Sequence, residues 1–142
     1  MKLIFAITVL SFFATGIGIT AEQDNFESLQ TQAAYTKGKP NEAIVLMTQA
    51  IAVEPQNPRG YFVRARFHEE NHAPTKAIVD YDQVIKLDPR LADTWQHRGV
   101  EHFKLGHIKE SIADFDKFIE LVPPASTVSL ATRNLALLRG PL

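Results

Sequence analysis

The sequence predicts an all-α chain of stacked helical hairpins, and three observations predict it. Pro55, Pro89 and Pro123 stand 34 residues apart and close similar phrases: Ala-Ile-Ala-Val-Glu-Pro, Val-Ile-Lys-Leu-Asp-Pro and Phe-Ile-Glu-Leu-Val-Pro. A fixed period of this length is the mark of a repeat architecture. Ahead of each proline, apolar or small residues recur at helical spacing, and no segment alternates in the manner of a strand.

The chain begins with a different kind of segment. Met1 and Lys2 give a short positive start, residues 3–13 are apolar, and residues 14–21 are rich in small side chains. No charged residue occurs from 3 to 21, whereas Glu22, Asp24 and Glu27 follow at once. This pattern predicts a secretory signal over residues 1–21, with an uncleaved membrane anchor as the competing reading. Either places the remainder in an exported compartment, periplasmic or secreted. The chain has no cysteine, so the fold must stand there on packing alone and no lipid can be attached through a thiol.

Of 142 residues, 45% are apolar and 22% charged, which suits one globular domain. Lys and Arg number 15 against 16 for Asp and Glu, so no basic excess exists to neutralise phosphates and nucleic acid is a poor partner.

Three hairpins are expected, over residues 24–57, 58–91 and 92–125. Their second helices carry the stripes Ala43, Met47 and Ala50; Ala77, Tyr81 and Val84; and Ser111, Phe115 and Phe118. The small residue that opens each stripe lets two helices approach closely. First helices carry Tyr61, Ala65 and His68 in the middle repeat, and Trp95, Gly99 and His102 in the last. Turns fall at Gly38-Lys39-Pro40, Asn71-His72-Ala73-Pro74 and Gly106-His107, where Pro40 and Pro74 fit the first helical turn because a missing N–H costs nothing there. Beyond Pro124, Val128, Ala131, Leu135 and Leu138 suit one more helix, over residues 126–139, capping the last repeat.

These residues resemble the tetratricopeptide repeat, W-x2-L-G-x2-Y, then A-x3-F, then P. The last repeat matches best, with Trp95, Gly99, Phe115 and Pro123 in register, but has Arg98, His102 and Ser111 where the family prefers Leu, Tyr and Ala. The middle repeat supplies Tyr61, Ala65, Ala77, Tyr81 and Pro89. The first keeps Gly38, Ala43 and Pro55 but reads Glu27, Gln30 and Thr31 at its opening. The resemblance implies a three-repeat solenoid whose first helices line a concave groove for a peptide or partner helix. Carried over by position, that groove holds Asn25, Ser28 and Gln32, then Arg59, Phe62, Arg66 and Glu69, then Gln96, Val100 and Phe103. Phe62, Val100 and Phe103 offer an apolar anchor, and Arg59 and Arg66 offer charge for a carboxylate. The competing reading makes the arginines surface residues paired with Glu69, Glu70 or Asp93, and the apolar residues packing. The clamp by which chaperone-tail binders of this family hold a C-terminal carboxylate is absent, since the corresponding residues are Ser28, Gln32, Val63, Asp93 and His97.

His68-Glu69-Glu70-Asn71-His72 matches the H-E-x-x-H zinc pattern, so a small exported zinc hydrolase is an alternative function, with Glu101, His102 or His107 as candidate third ligand. The repeat register opposes it by placing His68 inward and His72 where the helix ends. A third reading is a dimerising element that packs through Leu135 and Leu138. The preferred expectation is a noncatalytic binding module without cofactor or metal, acting on a protein or peptide partner. Membrane association is expected only if residues 1–21 are retained.

Overall fold

A computed structural model describes residues 25–122 and Leu138. Six helices run in order: α1 (Phe26–Ala34), α2 (Pro40–Val53), α3 (Pro58–Glu70), α4 (Pro74–Leu87), α5 (Ala92–Lys104) and α6 (Ile108–Leu121). Each packs principally on its neighbour in the chain, so three antiparallel hairpins stack in a row. Contacts of this kind, local in sequence, are what a solenoid is made of.

Helix boundaries follow local chemistry. Asn25 and Asn57 cap α1 and α3 by accepting from the backbone N–H of Ser28 (2.8 Å) and Arg59 (3.1 Å). Pro40, Pro58 and Pro74 occupy the first turn of α2, α3 and α4. At the other end, α2 and α4 stop two residues before Pro55 and Pro89, because the residue ahead of a proline is driven out of the helical region. The turns after α3 and α5 share one geometry. His72 (φ 51°) and Gly106 (φ 76°) are left-handed; their N–H groups donate to Glu69 and Phe103 carbonyls, and the next N–H groups, of Ala73 and His107, reach back to His68 and His102. This is the Schellman motif, which closes a helix by satisfying its last carbonyls.

The predicted stripes are the core. Ala43, Met47, Ala50, Ala77, Tyr81, Val84, Ser111, Phe115 and Phe118 are all buried. Small residues stand where helices come closest: a Cβ on Gly99 would lie 3.2 Å from that of Asp114, and the Ser111 hydroxyl donates to the Gly99 carbonyl at 2.8 Å. The repeats are clasped by a recurring bond, from the Tyr61 hydroxyl to the Pro55 carbonyl (3.1 Å) and from the Trp95 indole N–H to the Pro89 carbonyl (2.9 Å).

The first helix departs from the strict register. Phe26, Leu29 and Ala33 are its buried face, not the positions 34 residues ahead of Tyr61, Arg64 and His68. Its connection to α2 spans Tyr35 to Lys39, whereas the later hairpins turn in three residues. Phe26, Leu29 and Ala33 therefore answer to Tyr61, Arg64 and His68 at an offset of 35. The opening of the first repeat, which reads as polar in strict register, has a buried apolar face.

Residues 1–24, and with them the expected signal, lie outside the described residues, as does the expected capping helix except for Leu138. Leu138 packs on the cluster of Phe115 and Phe118 with Trp95, Ile112 and Val122, so this leucine belongs to the core of its own chain. Among the described residues no helix is long and apolar enough to cross a membrane.

Candidate functional site

The first helices share one face. A depression between α1 and α3 is lined by Glu27, Gln30, Thr31, Ala34, Tyr35 and Arg59. A second, of about 530 Å³, lies where α3 meets the segment leading into α5, with Pro58, Phe62 and Leu91 as apolar wall and Arg59, Asp88, Arg90 and Asp93 as charged rim. Arg59 belongs to both, is exposed, and has no ion-pair partner among the described residues.

The other groove residues divide. Arg66 is not free: its Nε meets Glu69 Oε2 at 3.1 Å and its Nη1 lies 2.9 Å from His97 Nε2. Glu69 in turn accepts from the Tyr81 hydroxyl (2.7 Å) and from His97 Nδ1 (3.1 Å). That assignment leaves His97 Nε2 as acceptor for Arg66, so both ring nitrogens of His97 have a partner. Phe62 meets Tyr81 and His97 edge-on, at 5.8 and 5.7 Å, and the His97 ring stacks on Tyr81. Burial alone would push the Glu69 carboxyl up, but hydrogen bonds from His97 and Tyr81, with their positive neighbours, hold it below its ordinary value. The Tyr81 hydroxyl is pushed upward, by burial first and then by the Glu69 charge.

Val100 packs against the Phe115 and Phe118 cluster, Gln96 is half-buried, and Phe103 is 53% exposed. In the first repeat the one-residue offset replaces the positions read from strict register. Asn25 is the α1 cap, Ser28 and Gln32 bond each other at 3.2 Å, and Gln32 lies with Thr36, Glu42 and Leu46 at the α1–α2 junction. Glu27 and Thr31 take the places of Ser28 and Gln32, beside Ala34 and Tyr35, the latter 82% exposed. The signal for this was present in the 3 and 4 residue spacing of Phe26, Leu29 and Ala33.

The two histidines of the H-E-x-x-H pattern do not share a helix face. His68 is buried on α3 with Nε2 3.8 Å from Asp80, while His72 lies beyond the helix in the left-handed turn position and is exposed. No group of three or more His, Cys, Asp or Glu side chains converges as a metal site among the described residues.

Instead, His68 belongs to a constellation that recurs 34 residues later. Arg64 forks onto Asp80, with Nε at 2.8 Å and Nη2 at 2.6 Å, and also reaches Thr48. Arg98 forks onto Asp114 at 2.9 and 2.6 Å and reaches Asp82. His68 faces Asp80 at 3.8 Å and His102 faces Asp114 at 3.9 Å. The residues at these places in the first repeat are Leu29, Ala33 and Leu46, all apolar. The Arg, His and Asp thus change together, and the departures of Arg98 and His102 from the tetratricopeptide pattern are two parts of one buried ion-pair device. The Asp80 hydrogen bond raises Arg64; burial opposes the charge of Arg98, and Asp114 outweighs it. Burial lowers His68, with the Asp80 charge a smaller opposing effect.

Stacked hairpins with a shared, partly apolar first-helix face define a helical-repeat protein. Residues 92–123 match the tetratricopeptide repeat family. The chain is 29% identical over 101 residues to the heat-shock cognate co-chaperone sgt12 of Aspergillus fumigatus, covering 71% of this chain and 29% of that protein. It is 32% identical over 76 residues to the human mitochondrial import receptor subunit TOM70, covering 54% and 12%. Among solved structures, the Arabidopsis OM64 TPR domain superposes with a TM-score of 0.69 at 27% identity, over 78% of this chain and 93% of that one. The first TPR of Spaghetti (RPAP3), bound to the HSP90 peptide SRMEEVD, gives 0.73 at 23% identity, over 80% and 90%. This chain has the three-hairpin fold of tetratricopeptide-repeat domains, and its last hairpin matches the family's repeat. It spans less than a third of the length of the curated relatives named above.

Proposed function

We propose that the chain is a noncatalytic binding module that takes an extended peptide or partner helix on its first-helix face, anchored by an apolar side chain beside Arg59. The observation that carries this reading is the depression of Pro58, Phe62 and Leu91, rimmed by the one arginine of the face that is left without an ion-pair partner among the described residues. Relatives solved with peptides support the mode. Their ligand does not transfer. With the first helix in its true register, the clamp positions carry Glu27, Thr31, Val63, Asp93 and His97, of which two are acidic and His97 is already bonded to Glu69. Glu27, Asp88 and Asp93 around Arg59 and Arg90 make a face of mixed charge, poorly matched to a strongly acidic tail and better suited to a segment with an apolar anchor and one flanking acid.

The uncharged segment 3–21 supports action in an exported compartment, where cytosolic chaperone tails are not met. Recovery of the chain from the envelope or medium, starting after about residue 21 by N-terminal sequencing, is the expected result for a cleaved signal. Retention in the cytoplasm with residues 1–21 intact contradicts it.

Proteins captured from that compartment by the parent chain are expected to be lost with Arg59→Glu and reduced with Phe103→Ala, at unchanged helicity. If both variants capture the same proteins as the parent, the face is wrongly assigned. Arg66→Glu is unsuitable, since it breaks the Glu69 and His97 network.

A further inference from the structure

The turn between α5 and α6 brings together two histidines whose sequence spacing gives no helical reason to meet. His102 Nδ1 and His107 Nδ1 lie 3.3 Å apart, with ring centroids separated by 5.6 Å. The cause is the Schellman closure. The His107 N–H donates to the His102 carbonyl at 2.9 Å, and this six-residue bond sets the side chains of those two residues against each other. The motif ordinarily places an apolar contact there. Gly106 holds the required left-handed turn without strain. In the preceding hairpin the same two places are held by His68 and Ala73.

We propose that His102 and His107 form a two-imidazole binding site for a divalent cation of the zinc type. A separation of 3.3 Å is long for a hydrogen bond between ring nitrogens. It matches two nitrogens on one tetrahedral zinc, which at Zn–N distances of about 2.0–2.1 Å lie roughly 3.3–3.4 Å apart. Asp114 stands on the opposite side of the His102 ring, 3.9 Å from Nε2. Its negative charge favours the proton on Nε2 and leaves the Nδ1 lone pair directed at His107, as carboxylates behind metal-bound histidines do. The Asp114 charge is shared with Arg98, which fixes the carboxylate in place. His107 is exposed, so the cation has an open path. No third His, Cys, Asp or Glu completes the set among the described residues, and water fills the remaining positions. The site is separate from Arg59 and its depressions and stands or falls independently of the groove. Its effect on the fold is to tie the end of α5 to the start of α6.

The test is a titration of the full chain with Zn²⁺ alone at pH 7.5, read by calorimetry and by the histidine ring signals in NMR. One equivalent is expected to bind, shifting His102 and His107 and raising the melting temperature as ligand binding to the folded state requires. His107→Ala reproduces the Ala73 turn, so it stays folded, and it is expected to weaken binding at least tenfold and abolish the thermal shift. His72→Ala, altering the exposed histidine of the earlier turn, is expected to change neither. Equal binding by His107→Ala and the parent, or zinc-induced shifts at His72 in place of His102 and His107, would overturn the proposal.

Discussion

His72 is a β-carbon-bearing residue in a place that its counterpart fills with glycine. Both it and Gly106 close a Schellman turn with φ above +50°, and the left-handed region costs an L-residue about 1–2 kcal/mol. Its ring is exposed, and nothing in the turn requires it. His72→Gly is therefore expected to stabilise the chain by about 1 kcal/mol, offset by a few tenths from the greater freedom of the unfolded glycine. Urea denaturation of the two proteins measures this directly, and a loss of stability would show that the His72 side chain contributes something the structure does not display. The same residue shows how a motif can mislead. H-E-x-x-H is a chemical signature only when both histidines lie on one helix face, and here the helix ends at Glu70.

At the scale of the hairpin, the question is why two repeats hold an ion pair where the first holds leucines. Arg64, His68 and Asp80 are mutually satisfied except for His68 Nδ1, which is buried without a partner. Desolvation of such a pair consumes most of its Coulombic attraction, so removing one member is costly while replacing all of them need not be. Asp80→Ala is expected to destabilise the chain by about 3 kcal/mol, since it strands Arg64 in a mostly buried site. The combined variant Arg64→Leu, His68→Ala and Asp80→Leu, which copies the first repeat, is expected to be neutral or more stable. Chemical denaturation of both variants decides the matter. If the triple variant is as damaged as Asp80→Ala, the ion pair contributes net stability and the apolar equivalence of the repeats is wrong.

Across the whole molecule, these buried ionisations make stability depend on pH in one direction. His68 has its folded pKa lowered by burial from an ordinary value of 6.5, so below that pH the unfolded chain takes up more protons than the folded one. Stability is complete above about pH 6.5 and declines as pH falls toward the folded value. Glu69 is also lowered, from 4.5, because its partners favour the carboxylate, and its contribution is present above that pH and lost as pH falls further. Melting temperatures are expected to drop between pH 7.5 and 5.5, and less so in His68→Gln, which cannot titrate. An equal drop in both proteins would assign the acid sensitivity to other groups.

The sequence alone determined the repeat, because the constraints that make it are local: a proline that stops a helix, a small residue where helices cross and an apolar stripe at helical spacing act over a few residues and repeat every 34. Pro55, Pro89, Ala77, Gly99 and Phe115 were readable for that reason, and so was the fold. What only the tertiary structure decided lies in contacts across hairpins, where spacing carries no information. The longer α1–α2 turn moved the first helix by one residue and exchanged Ser28 and Gln32 for Glu27 and Thr31 on the first-helix face. Arg59 and Arg66 looked equivalent in sequence, yet α5 brought His97 to Arg66 and left Arg59 free of an ion pair among the described residues. Arg98 and His102 depart from the repeat in sequence and are joined in space by Asp114 on α6, since a buried charge is intelligible only with its partner in place.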